Sequence, residues 1–107
     1  METQVKRGEV WWARVDKKRP VVLLSRNEAY AVRALVIVAP ISTRVRGFAV
    51  EVRAGMREGL PHHCVINCDW LVTLPKTDLL QRAGTLSANK LAQVNEALRF
   101  ALALNEP

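Results

Sequence analysis

The stretch Gly8-Glu9-Val10-Trp11-Trp12-Ala13-Arg14-Val15-Asp16-Lys17-Lys18-Arg19-Pro20-Val21-Val22-Leu23-Leu24 decides the fold. Residues 8–15 read as a strand, with Val10, Trp12 and Arg14 on one face and Trp11, Ala13 and Val15 on the other. Residues 16–19 are a short charged connection. Residues 20–24 are a compact apolar run, the antiparallel partner strand, and Pro20 stands first in it, where a missing N–H matters least. Proline disfavours the helical region for the residue before it, so Arg19 is extended. A planar, permanently charged fork is therefore expected at the mouth of a strand, where a phosphate can meet it.

Outward from this hairpin the signals continue in short units. Ser25 with Glu28 three residues later fits a capping box, for a turn or so of helix before Ala34. Residues 36–41 are apolar throughout and read as a central strand buried on both faces. After a polar turn over 44–47, Phe48, Val50 and Val52 alternate with Ala49, Glu51 and Arg53, which predicts a half-buried strand. Gly55, Gly59 and Pro61 make residues 54–61 a loop or hairpin. Residues 63–67 and 71–74 give two further short strands. Ser87 then caps a helix from residue 88 to about 103, whose stripe of Leu91, Val94, Leu98, Ala101 and Leu102 faces the sheet. Strands at short spacing followed by a helix predict an α+β fold: a strongly bent antiparallel sheet or small barrel. With no internal repeat or linker, residues 1–107 are expected to form one domain.

Sixteen Lys and Arg against ten Asp and Glu leave a net charge of +6. That balance favours polyanionic partners: RNA, DNA, an acidic protein segment or anionic lipid. No apolar run approaches the ~20 residues of a membrane span. The N-terminal Met-Glu-Thr-Gln-Val-Lys-Arg has no apolar signal region, so no membrane association and a cytoplasmic location are expected. Cys64 and Cys68 are four residues apart. On a strand that separates them by about 13 Å, at ~3.3 Å per residue, on one face. They would then be buried free thiols rather than a disulfide. The same separation argues against zinc at His62, His63, Cys64 and Cys68, so no metal and no cofactor are expected.

The groups able to do chemistry gather at strand ends: Arg19, Ser42-Thr43 after the 36–41 run, and Asp69 after the run ending at Cys68. Hydroxyls, a carboxylate and an arginine point to chemistry on a phosphodiester. Lys17, Lys18, Arg44 and Arg46 flank this set and would follow a nucleic-acid backbone, and Trp70 would stack on a base. Each has a plainer reading too: a surface ion pair for Arg19, a strand-end cap for Ser42, a core tryptophan for Trp70, solvated charges for the rest.

Four stretches, in order, carry a family resemblance. They are Arg7-Gly8-Glu9-Val10-Trp11-Trp12; Arg19-Pro20-Val21-Val22 followed by Ser25-Arg26-Asn27; Val36-Ile37-Val38-Ala39-Pro40-Ile41-Ser42-Thr43; and Gly84-Thr85-Leu86-Ser87 with Val94-Asn95-Glu96-Ala97-Leu98. Gly59-Leu60 and Thr73-Leu74 also fit. Together they resemble the MazF/PemK/Kid family of toxin endoribonucleases. The resemblance implies a MazF/CcdB-like, SH3-like barrel with a C-terminal helix, assembled as a homodimer. It implies metal-independent cleavage of single-stranded RNA at short motifs, by 2′-hydroxyl attack to a 2′,3′-cyclic phosphate, and an acidic protein antitoxin that blocks the RNA groove. It implies Arg19 and Ser42 as the catalytic pair, with Thr43 able to serve in place of Ser42.

The general base is left open among Glu9, Asp16, Asp69, His62 and His63. Three departures from the family pattern stand out. The connection before Arg19-Pro20 is cut to residues 16–18, Trp70 follows Asp69 where relatives often have glutamine, and Val72 stands where relatives often have arginine. RNA specificity is expected to differ accordingly. Two rivals remain. One is a non-catalytic toxin of the same fold that traps gyrase, as the CcdB branch does, although the chain ends Leu104-Asn105-Glu106-Pro107 instead of in that branch's Trp-Gly-Ile tail. The other is a nucleic-acid-binding regulator.

Overall fold

A computed structural model describes residues 5–104; Met1-Glu2-Thr3-Gln4 and the tail residues Asn105, Glu106 and Pro107 named above lie outside them. The expected hairpin is present as β1 (Glu9–Arg14) and β2 (Lys18–Leu23), antiparallel, with Val10 opposite Val22 and Ala13 opposite Arg19. A short helix α1 (Asn27–Val32) leads into β3 (Leu35–Ser42). Four strands follow, β4 (Glu51–Ala54), β5 (Cys64–Asn67), β6 (Val72–Pro75) and β7 (Leu79–Thr85), and then α2 (Ala88–Leu102).

The strands form one sheet in the order β4-β5-β3-β2-β1-β7, with β6 also paired to β3. Every pairing among the described residues is antiparallel. Two features curl this sheet into a half-barrel. The start of β3, Leu35 to Val38, pairs with β6, whereas its end, Ile41 and Ser42, pairs with β5. Pro40 lies at this handover, the kind of irregular position a strand proline occupies. The β1–β7 ladder also shifts register twice, between Val10 and Trp11 and between Trp12 and Ala13, and such bulges strengthen the local twist.

The curl makes β1, β2 and β3 apolar on both faces. One cluster joins Val10, Val22, Ala39, Ile41 and Ile66 to Val94 and Ala97 of α2. The other joins Trp11, Ala13, Val21, Leu23, Val36 and Val38 to Tyr30 and Leu74. The alternation read from residues 8–15 is thus real, but both faces are interior. Ser87 caps α2 as expected, its hydroxyl accepting the Lys90 N–H at 3.0 Å. Leu91, Val94 and Leu98 pack on the core, whereas Leu102 is exposed past the end of the stripe.

Several expectations are corrected. Ser25 does not cap α1: its hydroxyl accepts the Ile37 N–H at 2.8 Å and so ties the loop to β3. Residues 36–41 are not buried throughout, because Ile37 is exposed where β3 runs past the end of β2. The strand expected from Phe48 begins only at Glu51. Glu51 Oε1 accepts the Arg46 and Gly47 N–H groups at 3.0 and 2.8 Å, which holds residues 43–50 as a loop with Phe48 exposed. β7 was not foreseen. Its residues, mostly exposed, carry no period-two pattern, and it is fixed by pairing with β1.

A 3-10 turn over Met56–Glu58 ends at Gly59, whose φ is +87°. A Cβ there would stand 2.0 Å from the Ala83 carbonyl oxygen, so only glycine lets this turn close on β7. Among the described residues, no helix is long and apolar enough to cross a membrane.

Candidate functional site

Arg19 sits at the second position of β2, opposite Ala13, where the hairpin opens to solvent. The 16–18 connection is too short to leave this mouth. Asp16 therefore meets Arg19 three residues on: Arg19 Nε donates to Asp16 Oδ1 at 2.7 Å and Nη2 to Oδ2 at 2.9 Å. Asp16 Oδ1 also accepts the Lys17 N–H at 2.9 Å. The hydrogen bonds from Arg19 hold the Asp16 carboxyl well below the usual carboxylate range, and Asp16 in turn raises the guanidinium.

Beyond the ion pair, the Arg19 guanidinium lies over the Trp70 ring, its central carbon 5.2 Å from the ring centre. Trp70 is placed by the turn after β5, where its N–H donates to the Asn67 carbonyl at 3.3 Å. Trp70 is therefore half-buried under a cation, between the base platform and the core residue that the sequence left open. Lys18 Nζ stands 5.6 Å from the centre of the Trp12 ring. Two cations at the hairpin mouth are thus each held against an indole.

A cleft of about 190 Å³ opens beside this arrangement, and Lys17, Lys18, Arg19, Thr43 and His62 line it, over a floor that includes Trp12 and Ile41. Arg19 and Thr43 are brought together there from β2 and from the first loop position after β3. Ser42 precedes Thr43 but is not in the lining; its Oγ accepts the Arg44 N–H at 3.0 Å. Arg44 and Arg46 are exposed on the loop that follows, and Asp69 is exposed in the turn after β5. None of these three lines the cleft.

The base candidates divide cleanly. Glu9 is buried and committed: Oε1 accepts the Lys6 N–H at 3.1 Å and the Trp11 indole N–H at 3.0 Å, and Oε2 accepts Arg82 Nη1 at 3.1 Å. His63 lines a different and wider hollow of about 520 Å³ between β4, the 3-10 turn and α2, with Arg53, Arg57 and Lys90. That hollow exceeds the Arg19 cleft in size, yet it holds neither Arg19 nor Thr43. Asp16 stands at the Arg19 mouth with both carboxylate oxygens taken by the fork, which leaves His62, in the cleft lining, as the base candidate. Sequence reasoning named both without placing either; the signal was the Asp16-x-x-Arg19 spacing across a tight turn. Cys64 and Cys68 are buried free thiols. Burial, then Asp69, pushes Cys68 up to about 11, and burial, then Glu58, raises Cys64, so neither is a thiolate nucleophile at neutral pH.

Three comparisons bear on this arrangement. A family model described as PemK-like, MazF-like toxin of type II toxin-antitoxin system matches residues 6–102. Endoribonuclease MazF3 of Mycobacterium tuberculosis is 39% identical over 93 residues, covering 87% of this chain and 90% of that protein. Among solved structures, the M. tuberculosis toxin MazF-mt6 superposes with a TM-score of 0.86 at 37% identity, over 89% of this chain and 96% of that one. A mycobacterial endoribonuclease in complex with its cognate antitoxin superposes with a TM-score of 0.85 at 26% identity, over 96% and 99% of the two chains.

Proposed function

Because this chain belongs to the PemK-like, MazF-like toxins of type II toxin–antitoxin systems and is an endoribonuclease of that family, we propose that it cuts single-stranded RNA in the cleft at Arg19. The observation that carries this placement is the two-point grip of Arg19 on a pair of oxygens, at 2.7 and 2.9 Å, at a cleft that Thr43 also lines. A fork that holds a carboxylate in this way matches two oxygens of a phosphate equally well.

RNA carries its own nucleophile. The 2′-hydroxyl loses its proton, its oxygen bonds to phosphorus, and the bond from phosphorus to the 5′-oxygen breaks. The leaving oxygen takes up a proton, so that a 2′,3′-cyclic phosphate and a 5′-hydroxyl remain. What the protein must supply is stabilisation of the crowded, charged phosphorane and a route for two protons. Arg19 supplies the first, aided by a hydroxyl of Thr43 or Ser42. His62 lies within the cleft as a group able to move a proton. Lys17 and Lys18 meet the flanking phosphates, and Arg44, Arg46 and Asp69 contact the strand farther along.

The same proposal covers the assembly. The whole chain, 1–107, acts as one toxin domain in the cytoplasm, and an acidic antitoxin restrains it. The similar mycobacterial endoribonuclease solved with its cognate antitoxin supports that partner, as does the +6 charge. The chain works as a homodimer; exposed Val32, Leu35 and Ile37 around the start of β3 are apolar surface that a second copy would cover.

The test is to incubate the purified protein with a long RNA in excess chelator and map the ends. Cutting is expected to persist, at a short recurrent motif, leaving cyclic phosphate and 5′-hydroxyl ends, and a 2′-deoxy residue at the mapped position should block it. Loss of cutting in chelator overturns the metal-independent chemistry. Sedimentation of the isolated protein tests the dimer.

A further inference from the structure

The Arg19 fork is occupied already. Asp16 takes two of its donors, Nε and Nη2, and the guanidinium is held in place from another side by the Trp70 ring. A scissile phosphate that uses the same edge of the fork cannot bind until the carboxylate leaves. We infer that Asp16 is a built-in competitor of the substrate: it keeps Arg19 aligned and occupied in the free protein, and the RNA phosphate displaces it. This inference rests on the cutting site being at Arg19.

The geometry suits an exchange. The Asp16 side chain is 52% exposed at the hairpin tip, whereas that of Arg19 is 18% exposed. The carboxylate can therefore swing into water while the guanidinium stays on Trp70. Asp16 Oδ1 also holds the Lys17 N–H at 2.9 Å, a partner that does not depend on Arg19. Carboxylate and phosphate present the same pair of oxygens to the fork, so the exchange conserves the number of charge-assisted hydrogen bonds. An exposed ion pair is also weak enough to yield. The Arg19 hydrogen bonds keep Asp16 ionised throughout the physiological range, so the competitor is always armed. Lys17 and Lys18 lie beside the pair, and their charge favours the more highly charged phosphodiester strand over the single carboxylate.

The experiment uses a single-stranded oligonucleotide carrying the mapped motif with a 2′-deoxy residue at the cut position, so that binding is read without cleavage. Asp16→Asn is expected to bind it about threefold to tenfold more tightly than the unaltered protein, the range of one exposed charge-assisted pair. Asp16→Glu, which keeps a carboxylate, should stay near the unaltered affinity. On cleavable RNA, Asp16→Asn should lower KM and leave kcat within about twofold.

Removing a negative charge favours any polyanion, so the decisive comparison is made in Arg19→Ala. There Asp16→Asn should tighten binding distinctly less, because the fork it guards is gone. Equal tightening in both backgrounds overturns the inference, as does an Asp16→Asn protein that binds no better, or one whose kcat collapses. If Arg19→Ala instead leaves both binding and cleavage unchanged, it is the placement of the cutting site that falls.

Discussion

The guanidinium carbon of Arg19 lies 5.2 Å from the centre of the Trp70 ring, so a residue near the start of the chain is oriented by one that follows β5. The indole face fixes the plane of the fork without taking any of its donors. Trp70→Ala should leave the fold intact and lower kcat/KM by about threefold to tenfold, the range of a partly exposed cation–π contact. Trp70→Phe should recover most of the loss. Equal activity in all three proteins would show that the stack does not orient Arg19.

Arg19 itself should behave as a phosphate fork and not as a point charge. Arg19→Lys keeps the charge and loses the two-point grip, so cleavage should fall about 100-fold while RNA binding changes far less. Arg19→Ala should abolish growth arrest on expression and give an unaltered circular dichroism spectrum. A folded Arg19→Ala protein that still cuts at the full rate removes this residue from the site.

Two glycines with positive φ separate strain from collision. Gly47, at φ +80°, has nothing within 4 Å of where a Cβ would stand, so Gly47→Ala should cost about 1 kcal/mol. Gly59, at φ +87°, would drive its Cβ into the Ala83 carbonyl, and Gly59→Ala should cost about 3 kcal/mol or more. Urea denaturation reads both.

Tyr30 is the one tyrosine of the chain, which makes its ionisation directly visible in the ultraviolet. Burial in the second cluster, more than its neighbours' charges, pushes it up to about 12 from 10.0. A group whose pKa is raised by folding adds stability that is complete below its unfolded value. That stability is lost as pH rises from about 10 to about 12. The folded protein should show no tyrosinate absorbance at pH 10.5, and the urea-unfolded chain should show most of it. Tyrosinate that appears near pH 10 without unfolding contradicts the burial.

The hairpin was legible because Trp11-Trp12 and the flanking residues alternate and Arg19-Pro20 marks where the second strand starts. α2 was legible because Ser87 and a helical stripe both announce it. β7 was not, since an edge strand held by its neighbour needs no apolar pattern of its own. Phe48 misled for the opposite reason: it sits in an alternating run that three backbone bonds to Glu51 convert into a loop. At the site, the sequence put Ser42 first, with Thr43 able to serve in its place. Ser42 ends β3 with its hydroxyl taken by the Arg44 N–H, and it is Thr43, the first residue of the loop beyond, that lines the cleft. The grip of Asp16 on Arg19 depends on the hairpin closing tightly, which spacing alone does not fix.

β1 completes its ladder with β7, Glu9 opposite Thr85, so the first strand of the sheet waits for the last. During synthesis β1 emerges early, apolar on both faces, with one edge unmatched until nearly the whole chain has left the ribosome. Such long-range pairing is slow, and it makes assembly an all-or-nothing late event. A chain interrupted before residue 79 has Arg19, Thr43 and Trp70 but no strand to close the sheet around them. For a toxin, this connectivity acts as a timer: a copy that stops before residue 79 lacks the strand that completes the β1 ladder.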